Sequence, residues 1–454
     1  SNDPVLMHIN GKPVTRSEFE YSYNKNSNIE GAVEHKTVDE YVEMFVNYKL
    51  KVEAAEAMRM DTLSSFKGEF AQYRDIQLKP FLVDSAFIDS VAYSVYTQTQ
   101  AQLKGKDMLR VAHILLMVPQ NATQGAVDFM SHRIDSIYDA LKHGADFAEM
   151  ANQFSDDRGT RAKGGELPWI GPDMTLKEFE DAAYALQNGE MSRPVKTTVG
   201  FHIIKMLERK QLEPYAQLKS MIVEGLKRQG IEENSADYRI GKIVEASHGR
   251  LTREMVLDSV MNAEVATNAD LKYLIEEYHD GLLLYEISKQ KIWDPASNDK
   301  QALAKIFKKN KKTYAWDEPR FKGFVISAKS EQALKKAKKL LKKYGEGEWQ
   351  AEIKKQLNKD SVQVRVVGPV LVKKGENKLA DQFIFGGDEV KTRAPFVFAG
   401  VQGKKLKQPA TYVDVKSQVE TTLQERLEKA WIEKLRQQFP VEIDKSVLAT
   451  VNKH

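Results

Sequence analysis

Two of the nine histidines, His113 in "RVAHILLMVP" and His202 in "FHIIKML", interrupt short runs whose aliphatic and β-branched residues read as buried strands. An imidazole there can move a proton near neutral pH, ligate a metal, or serve as a hydrogen-bonded core residue, the usual fate of a lone histidine on an apolar strand. No spacing of His, Asp and Glu suggests a metal site, and no phosphate-binding glycine loop or hydrolase triad is visible. The chain has no cysteine, so disulfides, thiolate ligands and thiol nucleophiles are excluded together. Between the two histidines lies "SDDRGTRAKGGELPWIGP", residues 155–172, rich in glycine and charge. What the imidazoles do depends on how the chain folds around that stretch.

The elements needed to position them are legible. After the first histidine strand, Val127, Met130, Ile134, Ile137 and Leu141 fall on one face of a helix that Gly144 ends. A second helix, "DFAEMANQF", precedes the glycine-rich stretch; "LKEFEDAAYAL" gives a third, ended by Asn188-Gly189 before the second histidine strand. Upstream, "VLMHINGKPVTRSEF" reads as a strand, an Asn10-Gly11 turn and a second strand, with Thr15 and Glu18 in capping-box spacing to open a helix. Aromatic-rich helices follow to about Gln102, with Val38, Tyr41, Val42, Phe45, Tyr48, Leu50 and Val52 near helical spacing. These aromatics read as core, with an exposed apolar groove as the alternative. Residues 209–314 return to helix, and then the pattern repeats: "RFKGFVISA" at 320–328 parallels "RVAHILLMV", and "FVFAGVQG" from 396 parallels "FHIIKMLE". In this second copy Gly323 stands for His113 and Val397 for His202. The final helix ends at Pro440, before a short strand "VEI".

At 454 residues, with 42% hydrophobic and 29% charged residues, the composition is that of several globular domains. No apolar run approaches the roughly 18–20 residues that a bilayer span requires. A net charge of +4 is too small to argue for nucleic acid. In "EQALKKAKKLLKKY" the apolar stripe opposite the lysines favours a solvated basic face on a packed helix over a membrane or nucleic-acid site. The absence of cysteine fits an oxidising compartment, as it fits any compartment where none is needed. The chain starts at Ser1 without Met, and a leader removed ahead of it is the expectation.

The stretch "AHILL … FAEMANQFSDD … GGELPWIGPDM … FEDAAYALQNGEMSRPVKTTVGFHIIKM" resembles a parvulin-type peptidyl-prolyl cis/trans isomerase domain over Met108 to about Glu208. The strand histidine, the Ser-Asp-Asp turn, the Gly-Gly-Glu-Leu loop, the Phe-Glu-Asp-Ala helix and the Gly-Phe-His-Ile-Ile strand occur in family order. The layout of the chain is similar to that of periplasmic parvulin chaperones. The implied reaction needs no bond broken: an X-Pro amide crosses a barrier near 18–20 kcal/mol. A catalyst must hold the ring, let the carbonyl swing and favour the twisted amide.

The resemblance implies roles. Leu167, Met174 and Phe179 map to the proline-ring pocket, although four residues separate Met174 from Phe179 where the family more often has three. His113 and His202 map to paired histidines at the base of the site, with a direct role in the transition state or a structural role bracing two strands. Asp157 maps beside the rotating carbonyl, where its charge would disfavour the planar amide; the alternative is that Asp156 and Asp157 only brace the turn. Thr197 maps next to the site as a hydroxyl partner. Trp169 favours apolar or aromatic residues beside proline, or is a buried ring without substrate contact. The loop "MVPQNATQGAVDF" lacks Lys and Arg, so a phosphoserine-proline substrate is not expected.

The fold expected is therefore multidomain α+β. Residues 1–105 read as a mostly helical chaperone-like module and 106–208 as one intact parvulin domain, an antiparallel sheet flanked by helices. Residues 209–315 read as a helical linker, 316–402 as a second, degenerate and catalytically silent parvulin-like domain, and 403–454 as a C-terminal helix and strand. The layout suggests that "VEI" pairs with "VLMHI". The function expected is a peptidyl-prolyl isomerase and folding chaperone for exported or outer-membrane polypeptides, located in the periplasm. Its partners are extended chains with X-Pro bonds; no cofactor, metal, nucleic acid or membrane span is expected. The alternative is a non-catalytic chaperone that uses the parvulin fold as a peptide clamp.

Overall fold

The computed structural model describes residues 2–27 and 36–454; Ser1, where the expectation of a removed leader falls, lies outside them. By contact the chain forms two compact units, one of residues 1–73 with 265–454, the other of residues 74–264. Helix Ser85–Leu103 belongs to the second unit because it packs on Tyr215–Arg228 and Ile231–Ala246.

Three small antiparallel sheets hold the strands. In the first unit β1 (Val5–Ile9) lies between β2 (Lys12–Thr15) and the C-terminal β9, Val441–Ile443. The β1–β2 turn places Asn10 and Gly11 at φ +54° and +76°, a left-handed pair that Asn-Gly tolerates. Thr15 Oγ1 accepts the Glu18 N–H at 3.3 Å, which opens helix Arg16–Ser27. The core beneath this sheet takes Phe19, Phe45 and Leu50 from the first helices, Leu283 and Ile287 from helix Ala269–Ser288, and Leu435 and Phe439 near the C-terminus.

In the second unit β3 (Met108–Met117), β5 (Gly200–Lys210) and β4 (Val195–Thr197) form a sheet in the order β3-β5-β4. The free edge of β3 is bridged at Leu109–Ile170 and Ala112–Glu166 by the glycine-rich stretch. Side chains alternate across a strand, so the two faces differ. Ala112, Ile114, Leu116 and Ile203 pack on helices Gln124–Lys142 and Phe147–Phe154, through Ile134, Ile137, Phe147 and Ala151. Leu109, Val111, Ile204 and Met206 pack on helix Lys177–Tyr184 through Phe179 and Ala183.

The third sheet, again in the first unit, sets β6 (Arg320–Ala328) between β7 (Val364–Lys373) and β8 (Phe398–Leu406). Like the unit around β3 and β5 it opens with a strand and two helices and closes on a strand paired with the first, but here the flanking strand β7 precedes the short helix, whereas β4 follows it. The register corrects one equivalence. Leu115 pairs with His202, and Val325, the counterpart of Leu115, pairs with Val401, so Val401 and not Val397 stands at the second histidine position. The shift arises because Arg393 and Phe396 close a bridge ahead of β8, leaving Val397 outside the strand. Gly323 faces Gly403 so closely that a Cβ on Gly323 would meet Gln402 O at 2.3 Å. No imidazole fits there.

Candidate active site

Antiparallel pairing of β3 and β5 sets His113 opposite Ile204 and Leu115 opposite His202, which puts the two imidazoles diagonally on one face. Both are buried, and their Nδ1 atoms are 3.2 Å apart. His113 Nε2 lies 2.7 Å from Asp157 Oδ2, and His202 Nε2 lies 2.8 Å from Thr197 Oγ1. The Phe179 ring stands edge-to-face against both, with centroids at 5.6 Å from His113 and 5.2 Å from His202.

The turn that delivers Asp157 is tied to the end of β3. Ser155 Oγ accepts the Leu115 N–H at 3.1 Å, Asp156 N–H donates to Leu115 O at 2.7 Å, and Asp156 Oδ2 accepts the Met117 N–H at 2.8 Å. Asp156 is thus occupied by the strand, and Asp157 is the carboxylate that faces the histidine. Thr160 Oγ1 donates to Asp157 Oδ2 at 2.7 Å and Gly159 N–H to Oδ1 at 3.2 Å. Further along, Gly165 O accepts the His113 N–H at 2.9 Å, and Gly165 has φ +82°. A Cβ there would sit 2.3 Å from His113 O, so only glycine permits this approach.

Burial, and then the neighbouring His113, push the His202 imidazole down to about 4 from its usual 6.5, against a weaker opposing pull from Asp157. Burial alone would raise Asp157, but hydrogen bonds from His113 and Thr160 outweigh it and hold the carboxyl below its ordinary range. With Asp157 ionised and the imidazoles neutral, one arrangement gives every contact a donor and an acceptor. Thr197 O–H donates to His202 Nε2, His202 Nδ1–H donates to His113 Nδ1, and His113 Nε2–H donates to Asp157. The chain of bonds runs one way and ends on the carboxylate.

Of the residues singled out from sequence, the structure brings together His113, His202, Asp157, Thr197 and Phe179, with Leu167 packed beside Phe179 in the same apolar cluster. Trp169 and Met174 instead line a cavity of about 510 Å³ with Leu103, Met108 and Pro172. Met174 is 66% exposed and its Sδ accepts the Gly171 N–H at 3.2 Å, which turns it back onto its own loop. The Trp169 ring is covered by the Lys210 ammonium, 4.8 Å from its centroid. Ser155, Thr160 and Gly165 escaped the sequence reading. For Ser155 and Thr160 the signal was the hydroxyl spacing around the acidic pair.

Residues 93–210 match the family model of the PPIC-type PPIase domain. They form a parvulin-type peptidyl-prolyl isomerase domain. The chain is 29% identical over 282 residues to foldase protein PrsA 4 of Bacillus cereus, covering 61% of this chain and 91% of that protein. It is 32% identical over 120 residues to the chaperone SurA of Pseudomonas syringae, covering 26% and 27%. The crystal structure of a PrsA peptidylprolyl isomerase from Bacillus cereus aligns at 24% identity over 53% of this chain and 93% of that one, with a TM-score of 0.22.

Proposed function

We propose that this parvulin protein is a folding factor for exported polypeptides, acting in the periplasm, in which the isomerase domain turns X-Pro bonds while other parts of the chain hold the client. The observation that carries the catalytic half is the one-way hydrogen-bond chain from Thr197 through both histidines to Asp157, walled by Phe179. The proline ring would rest against Phe179 and Leu167, and the preceding carbonyl would swing past Asp157. A planar amide concentrates negative charge on that oxygen, whereas the twisted amide does not, so a fixed carboxylate nearby favours the twisted form. No covalent intermediate is required.

The client-holding half rests on the first unit. A cavity of about 560 Å³ there is lined by Tyr23, Tyr41, Met44, Phe45, Tyr48 and Leu284, a surface that suits apolar and aromatic side chains. The five stretches drawn from the sequence are proposed as the modules of this division of labour. The repeat around β6 lacks both histidines and, in this reading, catalyses nothing.

Exchange NMR on an Ala-Leu-Pro peptide, with the full chain and with residues 93–210, tests the reading. Acceleration by both supports it. A folded domain that accelerates nothing would leave a peptide clamp in its place.

A further inference from the structure

Residues 300–378 hold 22 lysines and arginines against eight aspartates and glutamates, a surplus of 14 in a chain whose total is only +4. Much of it is displayed on the helical layer over the third sheet. In helix Glu331–Tyr344 the stripe Ala333, Leu334, Ala337, Leu340 and Leu341 is buried. That leaves Lys335, Lys336, Lys339, Lys342 and Lys343 exposed on the opposite side. The next helix, Trp349–Gln356, enters the same core through Ile353 and adds exposed Lys354 and Lys355. Lys336 Nζ donates to Gln356 O at 3.4 Å, so the two sets of lysines form one surface.

Basic faces are ordinarily laced with carboxylates, as elsewhere in this unit, where Lys12 meets Glu53 and Glu56, and Lys49 meets Glu18 and Asp280. Among the described residues none of the seven lysines forms an ion pair. Of the carboxylates on the two helices, Glu331 and Glu352, the latter accepts a hydrogen bond from Gln356 Nε2 at 2.6 Å. Like charges three and four residues apart on a helix repel. Four glutamates on or beside the two helices, Glu331, Glu346, Glu348 and Glu352, leave the layer with a positive excess.

The stripe is packed as the sequence pattern implies, and beyond that reading of a merely solvated face we propose that the lysines dock on an anionic bilayer surface. All seven cations are lysines, hydrated point charges that suit diffuse attraction to a field of headgroup phosphates rather than the forked recognition that arginine gives. The aromatic residues nearby are not available for base stacking: Trp349 packs against Phe324 in the core, and the half-buried Tyr344 lies beneath the Lys343 ammonium. A single-stranded nucleic acid would lack its usual platform. The contact is adsorption, since no helix among the described residues is long and apolar enough to cross a membrane.

Co-sedimentation of the full chain with phosphatidylcholine vesicles, with and without about 30 mol% phosphatidylglycerol, tests this at about 0.05 M and 0.5 M NaCl. Binding is expected only to the anionic vesicles and only at low salt. The variant Lys335→Gln/Lys339→Gln/Lys342→Gln/Lys343→Gln should lose more than about tenfold in partitioning, with melting temperature and isomerase activity unchanged. The same four positions changed to Arg should retain binding. Equal binding to neutral vesicles, no loss in the Gln variant, loss in the Arg variant, or displacement from vesicles by DNA of equal charge would each overturn the proposal.

Discussion

The Nδ1 atoms of His113 and His202 face each other at 3.2 Å, inside a wall that leaves His202 only 4% exposed. One of the two must donate and the other accept, and Asp157 decides which. With the carboxylate accepting from His113 Nε2 and one proton on each imidazole, His202 is the donor, and Thr197 completes the set at its far nitrogen. A second proton on His202 would require Thr197 Oγ1 to accept instead of donate and turn its own proton to Gly200 O.

Stability should therefore depend on pH through His202. Its folded value near 4 lies below its unfolded value near 6.5, so below pH 6.5 the unfolded chain takes up a proton that the folded chain refuses. The domain is expected to lose roughly 3 kcal/mol from this group as pH falls from 6.5 to 4, with no further loss below that. Urea midpoints for His202→Gln should lack this slope. An equally steep slope in the variant would assign it to another group.

Asp157→Ala removes the acceptor for His113, Thr160 and Gly159 at once. If the loss of transition-state stabilisation is that of one hydrogen bond to a charged group, about 1.5–3 kcal/mol, kcat/KM should fall about tenfold to a hundredfold. Asp157→Asn keeps an acceptor and the size but not the charge. If the charge acts on the rotating carbonyl, the Asn variant is nearly as slow as the Ala variant in exchange NMR; near-normal activity in Asn would reduce Asp157 to a positioning residue.

Gly165→Ala should damage the site without touching a titratable group. The added Cβ collides with His113 O, and its backbone would be held at φ +82°. A cost above about 2 kcal/mol is expected, with displaced His113 ring resonances in NMR. Gly144→Ala, also at positive φ but with no atom within 4 Å of the added Cβ, separates the two effects. It should cost less and leave the histidines in place.

The site was legible where the side chain itself carries the signal. His113, His202 and Phe179 sit on elements whose periodicity fixes their facing, and a one-residue error would have turned them to the wrong side. Met174 was not, because an irregular loop has no period, and its side chain turns back onto Gly171 N–H. Gly165 went unread for another reason: its role lies in the absence of a Cβ, which only the neighbouring strand reveals. The repeat around β6 was visible in its first strand, but the match of Phe396 to Phe201 slid by four residues. The register is set by hydrogen bonds between strands, and these leave no mark in a short aromatic motif.

The chain termini meet in one sheet, which makes the last fifteen residues a test of cooperativity. His8 pairs with Glu442, Asn10 N–H donates to Pro440 O at 2.8 Å, and Asp444 N–H donates to Leu6 O at 2.8 Å. Val451 is buried in the same core as Phe19, and Arg16 Nη1 donates to Thr450 Oγ1 at 3.0 Å. Deleting residues 440–454 would expose that core and strip β1 of one neighbour, leaving a two-stranded ribbon that is at best marginal. Amide exchange in Val5–Ile9 and Val38–Ala57 should accelerate by orders of magnitude. The parvulin domain is built on its own sheet, so catalysis of a short Pro peptide by the truncated chain should stay near normal. Unchanged protection in Val5–Ile9 would mean that the first unit holds without its C-terminal strand.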